Sequence, residues 1–390
     1  MSPLDFTTQP GYFQLATRLV FGSNTLNLLP AELTPMGAQR PLIVTDRGLR
    51  QAGIVGRVEE ILRAAGLSSG VFDGVEPNPS IETVERAVAL YHQSGCDSLL
   101  ALGGGSPIDT AKAIGVLVSN GGTVRDFVGF NTFSRPLPPF IAIPTTVGTG
   151  SEVTNYAVIT DHSIKKKVVI SNPLLAPKLA ILDPELTLTL PPKLIASTGL
   201  DALTHAVEAY LTTVASDFTD AVGLHAARLI ARHIDRAVSP MRDAKTMGHM
   251  LHASCLAGLA FSYGRTALVH GMAHPLGAYY DVPHGMANSI LLPYVMKFNR
   301  PDCESRLADL GRAMGFAHDL TPDGEAADAF VAGLVQLSAR VGIPLKLSEV
   351  GVTDEFIPQM AKDAAESHNA KVNPRIPTVE EVEALYRQAL

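Results

Sequence analysis

Residues 96–115 read CDSLLALGGGSPIDTAKAIG, and the change of character halfway through this stretch decides the fold class. CDSLLALG is a short apolar run of strand length that stops at glycine. PIDTAKAIG then takes up a helical pattern. Ser106 is the candidate N-cap, Pro107 suits the first helical position, and Asp109 completes an S-x-x-D capping pattern. A strand that enters a helix through Gly103, Gly104, Gly105 and Ser106 lets backbone N–H groups approach an anion, and the helix dipole adds positive potential there. The stretch lacks the Gly-Lys-Ser/Thr of a Walker loop and is not GxGxxG, so a diphosphate seat and a plain tight turn both fit it.

The same alternation continues on the N-terminal side. RPLIVTD (40–46) reads as a buried strand, GIVGRVEEILRAAG (53–66) as a helix stopped by Gly66, and SSGVFDG as a strand. SIETVERAVALYHQSG follows as a helix opened by Ser80. Strand, helix, strand, helix, strand implies right-handed crossovers and a parallel sheet covered on both faces. Asp46 ends an early strand at the edge where open parallel sheets bind ligands. A carboxylate there accepts from ribose hydroxyls and repels a 2′-phosphate, which favours NAD over NADP. IAIPTTVGTGSEVTNYAVITD (141–161) is another strand running into hydroxyls and glycines, with Thr145, Thr146 and Thr149 able to bond cofactor or substrate; alone it would be a loop.

After Pro191 and Pro192 the pattern becomes long and Ala/Leu-rich, so the boundary falls near 185–192. An α/β dinucleotide-binding domain over 1–188 and an all-helical metal and substrate domain over 189–390 are expected. Two domains also suit a chain of 390 residues. In TGLDALTHAVEAY (198–210), Asp201 and His205 stand four apart on one helical face. LVHGMAHPLGAYYDVPHGMAN (268–288) adds His270, His274 and His284. One carboxylate and three imidazoles, Asp201, His205, His270 and His284, describe a cage for a borderline divalent ion such as Fe, Zn, Ni or Co.

With 46% apolar residues the chain is a compact globule, and its net charge of −7 argues against nucleic acid or an anionic membrane as the main partner. Cys96, Cys255 and Cys303 form no disulfide framework and fit a reducing compartment. The first residues, MSPLDFTTQPGYFQ, lack the basic and apolar stretches of a leader, and no apolar run is long enough for a bilayer. A cytoplasmic protein is expected. The one charge run is Lys165 to Lys167.

Together LIVTD, VEPNPS, GGGSPIDTAKAIG, IPTTVGTGSEVTNYAVITD, DALTHAVEAY and LVHGMAHPLGAYYDVPHGMANSILLPYVM resemble the iron-containing alcohol dehydrogenases, of the lactaldehyde reductase and 1,3-propanediol dehydrogenase type. The resemblance runs from RLVFGSNTL at Arg18 to the NPR ending at Arg375. It implies a dehydroquinate-synthase-like fold, with an α/β dinucleotide-binding domain, a helical metal domain and a site in the cleft between them. It also implies Asp201, His205, His270 and His284 as ligands of Fe2+, with zinc or nickel as alternatives. Asp46, Asn78, Gly103 to Ser106, Asp109, Thr145, Thr146, Thr149 and Lys167 match positions that contact NAD. His274 matches a non-ligand histidine beside the nicotinamide, a candidate proton relay one turn from His270, although Pro275 disfavours helical geometry at that residue.

Phe261 matches a pocket-wall aromatic, but SYGRT (262–266) places Tyr263 and Arg265 where the family has small neutral residues. If this stretch is helical, Arg265 lies about one turn from Phe261 and from His270. Its guanidinium would then suit a carboxylate, sulfonate or phosphonate on the substrate, or else face outward. The expected reaction is dehydrogenation of a small alcohol or diol, or reduction of its aldehyde, by a homodimer or higher homo-oligomer. An anionic aldehyde held by Arg265 is the first alternative. A lyase of the dehydroquinate synthase type should carry more basic residues. A non-redox metal protein would have no use for the glycine-rich seat and Asp46 together.

Overall fold

A computed structural model describes residues 11–164 and 166–390; the leader reading at residues 1–10 and the Lys165 end of the lysine run lie outside them. The chain divides into two compact units. Among the described residues, one contains 15–146 and 150–189, the other 11–14, 147–149 and 190–390.

The first unit is built on a six-stranded sheet in the order β1-β9-β6-β4-β2-β3. Its strands are β1 (Arg18–Phe21), β2 (Pro41–Val44), β3 (Gly70–Phe72), β4 (Ser98–Gly103), β6 (Phe140–Pro144) and β9 (Leu179–Leu182). Every pairing among them is parallel, with Ile43 opposite Leu100 and Leu100 opposite Ile141. Successive side chains point to opposite faces, so each strand feeds two apolar layers. Ile43, Leu100, Leu102 and Ile141 pack with Leu29, Leu33, Val55, Val58 and Leu62 of α1 (Leu29–Leu33) and α3 (Ile54–Ala64). Leu42, Val44, Leu99 and Ala101 pack with Val84, Ile108 and Ile114 of α4 (Ile81–Gln93) and α5 (Gly105–Asn120). The near-continuous apolar strands of the sequence follow from this double burial.

A short helix, α2 (Arg47–Gln51), follows β2. A second, three-stranded sheet joins β5 (Gly129–Phe130), β8 (Lys166–Ser171) and β7 (Tyr156–Asp161), with β7 and β8 antiparallel. β7 alternates partly exposed residues with buried ones, whereas β8 is exposed or half-buried until its last two residues and β5 spans only two residues.

The second unit is helical: α6 (Pro192–Leu211), α7 (Asp217–Val238), α8 (Ala244–Gly264), α9 (Leu268–Tyr280), α10 (His284–Ala313), α11 (Asp323–Arg340), α12 (Ile357–Ala365) and α13 (Val379–Ala389). Among the described residues no helix is long and apolar enough to cross a membrane. Two backbone devices place the helices that carry the candidate ligands. Asp281, at φ 53°, turns the chain out of α9, and Pro283 leads it into α10, so that α10 opens on His284. Gly148 packs against the helix that carries Asp201: a Cβ there would stand 2.6 Å from the Thr198 carbonyl oxygen, a contact only glycine tolerates.

Candidate metal centre and nucleotide seat

Asp201 and His205 lie one turn apart on α6, as their spacing requires, and both are buried. Glu208 follows on the same face, one turn beyond His205. His270 comes from the first turn of α9 and His284 from the first residue of α10. The structure brings these four together: one ligand atom from each of Asp201, His205, His270 and His284 lies within 4.8 Å of the others. The imidazole of His205 sits 4.7 Å from that of His270, and His270 lies 5.2 Å from His284, centroid to centroid.

Burial holds His205 below the usual histidine range, and burial together with its histidine neighbours holds His270 well below it. Neutral imidazoles offer the lone pairs that a cation needs. The backbone at Gly148 holds the His205 ring, and the four side chains together present one carboxylate and three imidazoles, a donor set that suits a borderline divalent ion. A divalent ion bonds such N and O ligands at about 2.0–2.2 Å, and the four residues fit that requirement with little movement.

Two residues outside the expected set complete the arrangement. Glu208 is fully buried and accepts from Ala267 N at 2.9 Å, Val269 N at 2.6 Å and His270 Nδ1 at 2.6 Å. Burial pushes its carboxyl up to about 8 against the pull of the backbone amides of Ala267, Val269 and His270, and a cation beyond the imidazole would favour the ionised form. Asn288, one turn after His284, donates from Nδ2 to Asp201 Oδ1 at 2.7 Å; the same Nδ2 lies 3.2 Å from His270 Nε2 and 3.1 Å from His284 Nε2. Spacing held a signal for both, since Glu208 lies one turn beyond His205 and Asn288 one turn beyond His284.

His274 is exposed, and its ring stacks on His284 at 5.5 Å and 17°. Pro275 does not break α9, which runs on to Tyr280, so His274 keeps the helical position that the proline put in question. Phe261 stacks on His205 at 4.4 Å and 25°.

Arg265 is placed differently from its helical expectation. α8 stops at Gly264, and Arg265 is exposed with φ 63° and ψ 171°. The physical reason is local. A Cβ on Gly264 would meet the Ala209 carbonyl oxygen at 2.8 Å, Thr212 Oγ1 donates to Gly264 O at 2.6 Å, and Glu208 draws in the amides of Ala267 and Val269. The chain must leave α8 there to begin α9, and the one-turn spacing from Arg265 to His270 is lost.

In the α/β unit, α5 begins earlier than the capping pattern implied. Its N-cap is Gly104, not Ser106, and no side chain caps it. Gly103, at φ 151°, approaches so closely that a Cβ would lie 2.5 Å from the Pro107 ring. Gly104 sits on Thr146, whose Cγ2 and Oγ1 a Cβ would meet at 3.0 Å. The helix therefore opens on uncapped amides, which is the condition for holding a diphosphate.

Asp109 takes no part in a capping box. It accepts from Ser151 Oγ at 2.5 Å and Val158 N at 3.0 Å. The buried Lys112 ammonium donates to Ser151 Oγ at 3.0 Å, Thr154 Oγ1 at 2.9 Å and the Tyr156 carbonyl at 2.7 Å. These bonds brace the first turns of α5 against the loop after β6. Thr145 is buried beside β4, its N–H bonded to Gly103 O at 3.0 Å, while Thr149 belongs to the segment grouped with the helical unit. Asp46, at the end of β2, caps α2 by accepting from Leu49 N at 3.0 Å. Lys167 Nζ donates to Asn78 Oδ1 at 2.8 Å, joining two residues that are distant in sequence.

Comparison with known proteins finds similarity over nearly the whole chain. The family pattern described as "Iron-containing alcohol dehydrogenase" matches residues 16–184, and "Fe-containing alcohol dehydrogenase family, C-terminal" matches residues 195–390. A lactaldehyde reductase of Escherichia coli (strain K12) is 42% identical, covering 95% of this chain and 97% of its own. An NAD-dependent methanol dehydrogenase of Bacillus methanolicus is 37% identical with the same coverage. The crystal structure of a 1,3-propanediol oxidoreductase superimposes with a TM-score of 0.95 at 39% identity, covering 98% of this chain and 100% of that one.

Proposed function

The chain belongs to the iron-containing alcohol dehydrogenase family, and from that premise we propose that it interconverts a small alcohol or diol and its aldehyde, with iron in the cage of Asp201, His205, His270 and His284. It is an oxidoreductase of that NAD- and metal-dependent family. The single observation that carries the reading is the convergence of those four side chains within 4.8 Å. Bound there, a divalent metal would supply Lewis-acid polarisation of the substrate oxygen, and NAD would supply the hydride acceptor. Iron is the family's metal; the Irving–Williams order puts zinc or nickel in recombinant material unless iron is supplied.

The chain's own residues account for the rest. The uncapped amides at Gly104 to Ser106 bind the diphosphate of NAD, with Thr145, Thr146 and Thr149 about it and Asp109 bracing the helix from behind. Asp46 keeps an acceptor for the ribose and disfavours a 2′-phosphate. Asn78 and Lys167 act as a pair at the cofactor. Phe261, stacked on His205, walls the substrate pocket and excludes water. His274 takes the proton from the alcohol side: it is exposed, so it exchanges protons with solvent, and its ring lies against His284.

An exposed Arg265 leaves no buried guanidinium that demands an anionic partner, so a neutral substrate is favoured over an acidic aldehyde. The three cysteines are buried and form no disulfide, which supports a reducing, cytoplasmic setting. Exposed aromatic rings at Tyr12 and Phe218 support self-association as a homodimer or larger assembly, which the mass in solution tests.

The deciding experiment mixes anaerobically iron-loaded protein with NAD and 1,2-propanediol and follows reduced nicotinamide at ~340 nm. Net NADH formation is expected. No NADH formed from any of a panel of small alcohols, and none consumed with their aldehydes, would sink the dehydrogenase reading.

A further inference from the structure

His270 is the ligand that the protein grips from behind, and the grip is unusual in what else it does. α9 begins at Leu268 with no side-chain cap of its own. The carboxylate that satisfies its first amides comes instead from Glu208 on α6, through Ala267 N and Val269 N. The same carboxylate takes the Nδ1 side of His270 at 2.6 Å. One buried side chain thus ties the helix of Asp201 and His205 to the helix of His270.

We propose that Glu208 is a positioning residue that holds His270 in the Nδ1–H tautomer, with Nε2 unprotonated toward Asp201 and His284, and so sets the metal affinity of the centre without touching the metal. The inference rests on the reading of the four-residue cage as a metal centre.

The hydrogen-bond logic is closed on both sides of the ring. Glu208 Oε2 lies 2.6 Å from Nδ1 and already accepts from Ala267 N, so it accepts from the ring N–H once Nε2 lacks the proton. On the other side, Asp201 Oδ1 accepts from Asn288 Nδ2 at 2.7 Å, which fixes the amide with its NH2 group inward. That NH2 lies 3.2 Å from His270 Nε2, so Nε2 is met by a donor and keeps its lone pair. The opposite tautomer would set a lone pair against a carboxylate and an N–H against an NH2 group. Partners of this kind raise metal affinity by about 10–100-fold.

The test uses the full-length chain loaded with zinc as probe, in competition with a chelator. Glu208→Gln keeps the volume and one backbone acceptor, but its NH2 group, turned to Nδ1, selects the wrong tautomer; a zinc affinity about 10–100-fold below wild type is expected. Glu208→Asp keeps the charge on a shorter arm and should recover part of that loss. A role confined to capping α9 would not move the ring proton, so nitrogen NMR of histidine-labelled protein supplies the second readout. The His270 signal, identified by its absence in His270→Ala, should report Nδ1–H in wild type and Nε2–H in Glu208→Gln after chelation. Zinc affinity within threefold of wild type in Glu208→Gln, or an Nε2–H ring in the wild-type protein, overturns the proposal. Failure of the underlying reading looks different, because then wild type holds no stoichiometric zinc or His270→Ala holds as much.

Discussion

The cage of the helical unit and the seat of the α/β unit are built on opposite principles. The cage is made of side chains in a nearly dry interior, and its ligands are oriented by second residues, Glu208 behind His270 and Asn288 beside Asp201. The seat is made of backbone, with Gly103 and Gly104 shaped by the close approach of Pro107 and Thr146 and the amides of α5 left uncapped. A side-chain site depends on residue identity at a few positions. A backbone site depends on shape and tolerates change around it, so single substitutions should divide the two sharply.

The largest effect is expected in the cage. His270→Ala or His284→Ala should cost more than the roughly 100-fold in metal affinity that loss of an outer partner costs, and turnover should disappear while the fold persists. Elemental analysis with a thermal melt checks this; stoichiometric metal in either variant removes that residue from the shell and breaks the contrast.

A second prediction asks whether buried polarity is confined to the cage. Glu152 is buried in the α/β unit, with Oε1 unpartnered, and burial pushes its carboxyl up from 4.5 to about 7. A folded value above the unfolded one means a contribution to stability that is whole below pH 4.5 and is lost as pH rises through 7. Glu152→Gln imitates the protonated form. It should therefore gain on wild type above pH 7, by up to about 3 kcal/mol, with no gain below pH 4.5. Denaturant melts across that range decide it, and a pH-independent difference would refute the assignment.

In the seat the expected effect is smaller. Asp46→Gly should narrow the preference for NAD over NADP by about tenfold or more, through a lost charged hydrogen bond and relieved repulsion. Because glycine replaces an aspartate N-cap at a cost of only a few tenths of a kcal/mol, α2 should survive. An unchanged ratio of kcat/KM for the two cofactors would show that Asp46 serves α2 alone.

The smallest effects belong to Arg265. Its φ of 63° and ψ of 171° lie where glycine is at ease and arginine is not, so Arg265→Gly should stabilise the protein by about 1 kcal/mol. In Arg265→Ala the KM values for lactaldehyde and for succinic semialdehyde should change together and by less than about threefold. A selective loss on the acidic aldehyde would restore the anionic-substrate alternative.

Much of the fold and the cage was legible in the chain. Four strands of the parallel sheet (β2, β3, β4 and β6), the helix opened by Ser80 and the pair Asp201 and His205 all follow from patterns within one or two turns of sequence, whereas β1 and β9 were not read. The second sheet was not legible, because β5 is only two residues long and β8 is largely exposed, so neither carries an apolar rhythm. The start of α5 was misread for a different reason: Ser106 and Asp109 form a local capping pattern, but Asp109 is drawn to Ser151 and Val158 instead. The end of α8 escaped as well, since what stops it is the Ala209 carbonyl and the Glu208 carboxylate, both on α6.

By itself the sequence determined the class of fold, the residue types of the cage and the glycine-rich entry to α5, because periodicity and i, i+4 spacing are properties of a single helix or strand. Only the tertiary structure decided that His270 and His284, carried on separate helices, close with α6 around one point. It also decided that Asp46 caps a helix, that Arg265 lies beyond the end of α8 and is exposed, and that Glu208 serves the amides of α9 and the ring of His270 at once. Those outcomes depend on which surfaces pack together and which buried donors must find an acceptor, and no local pattern encodes that pairing.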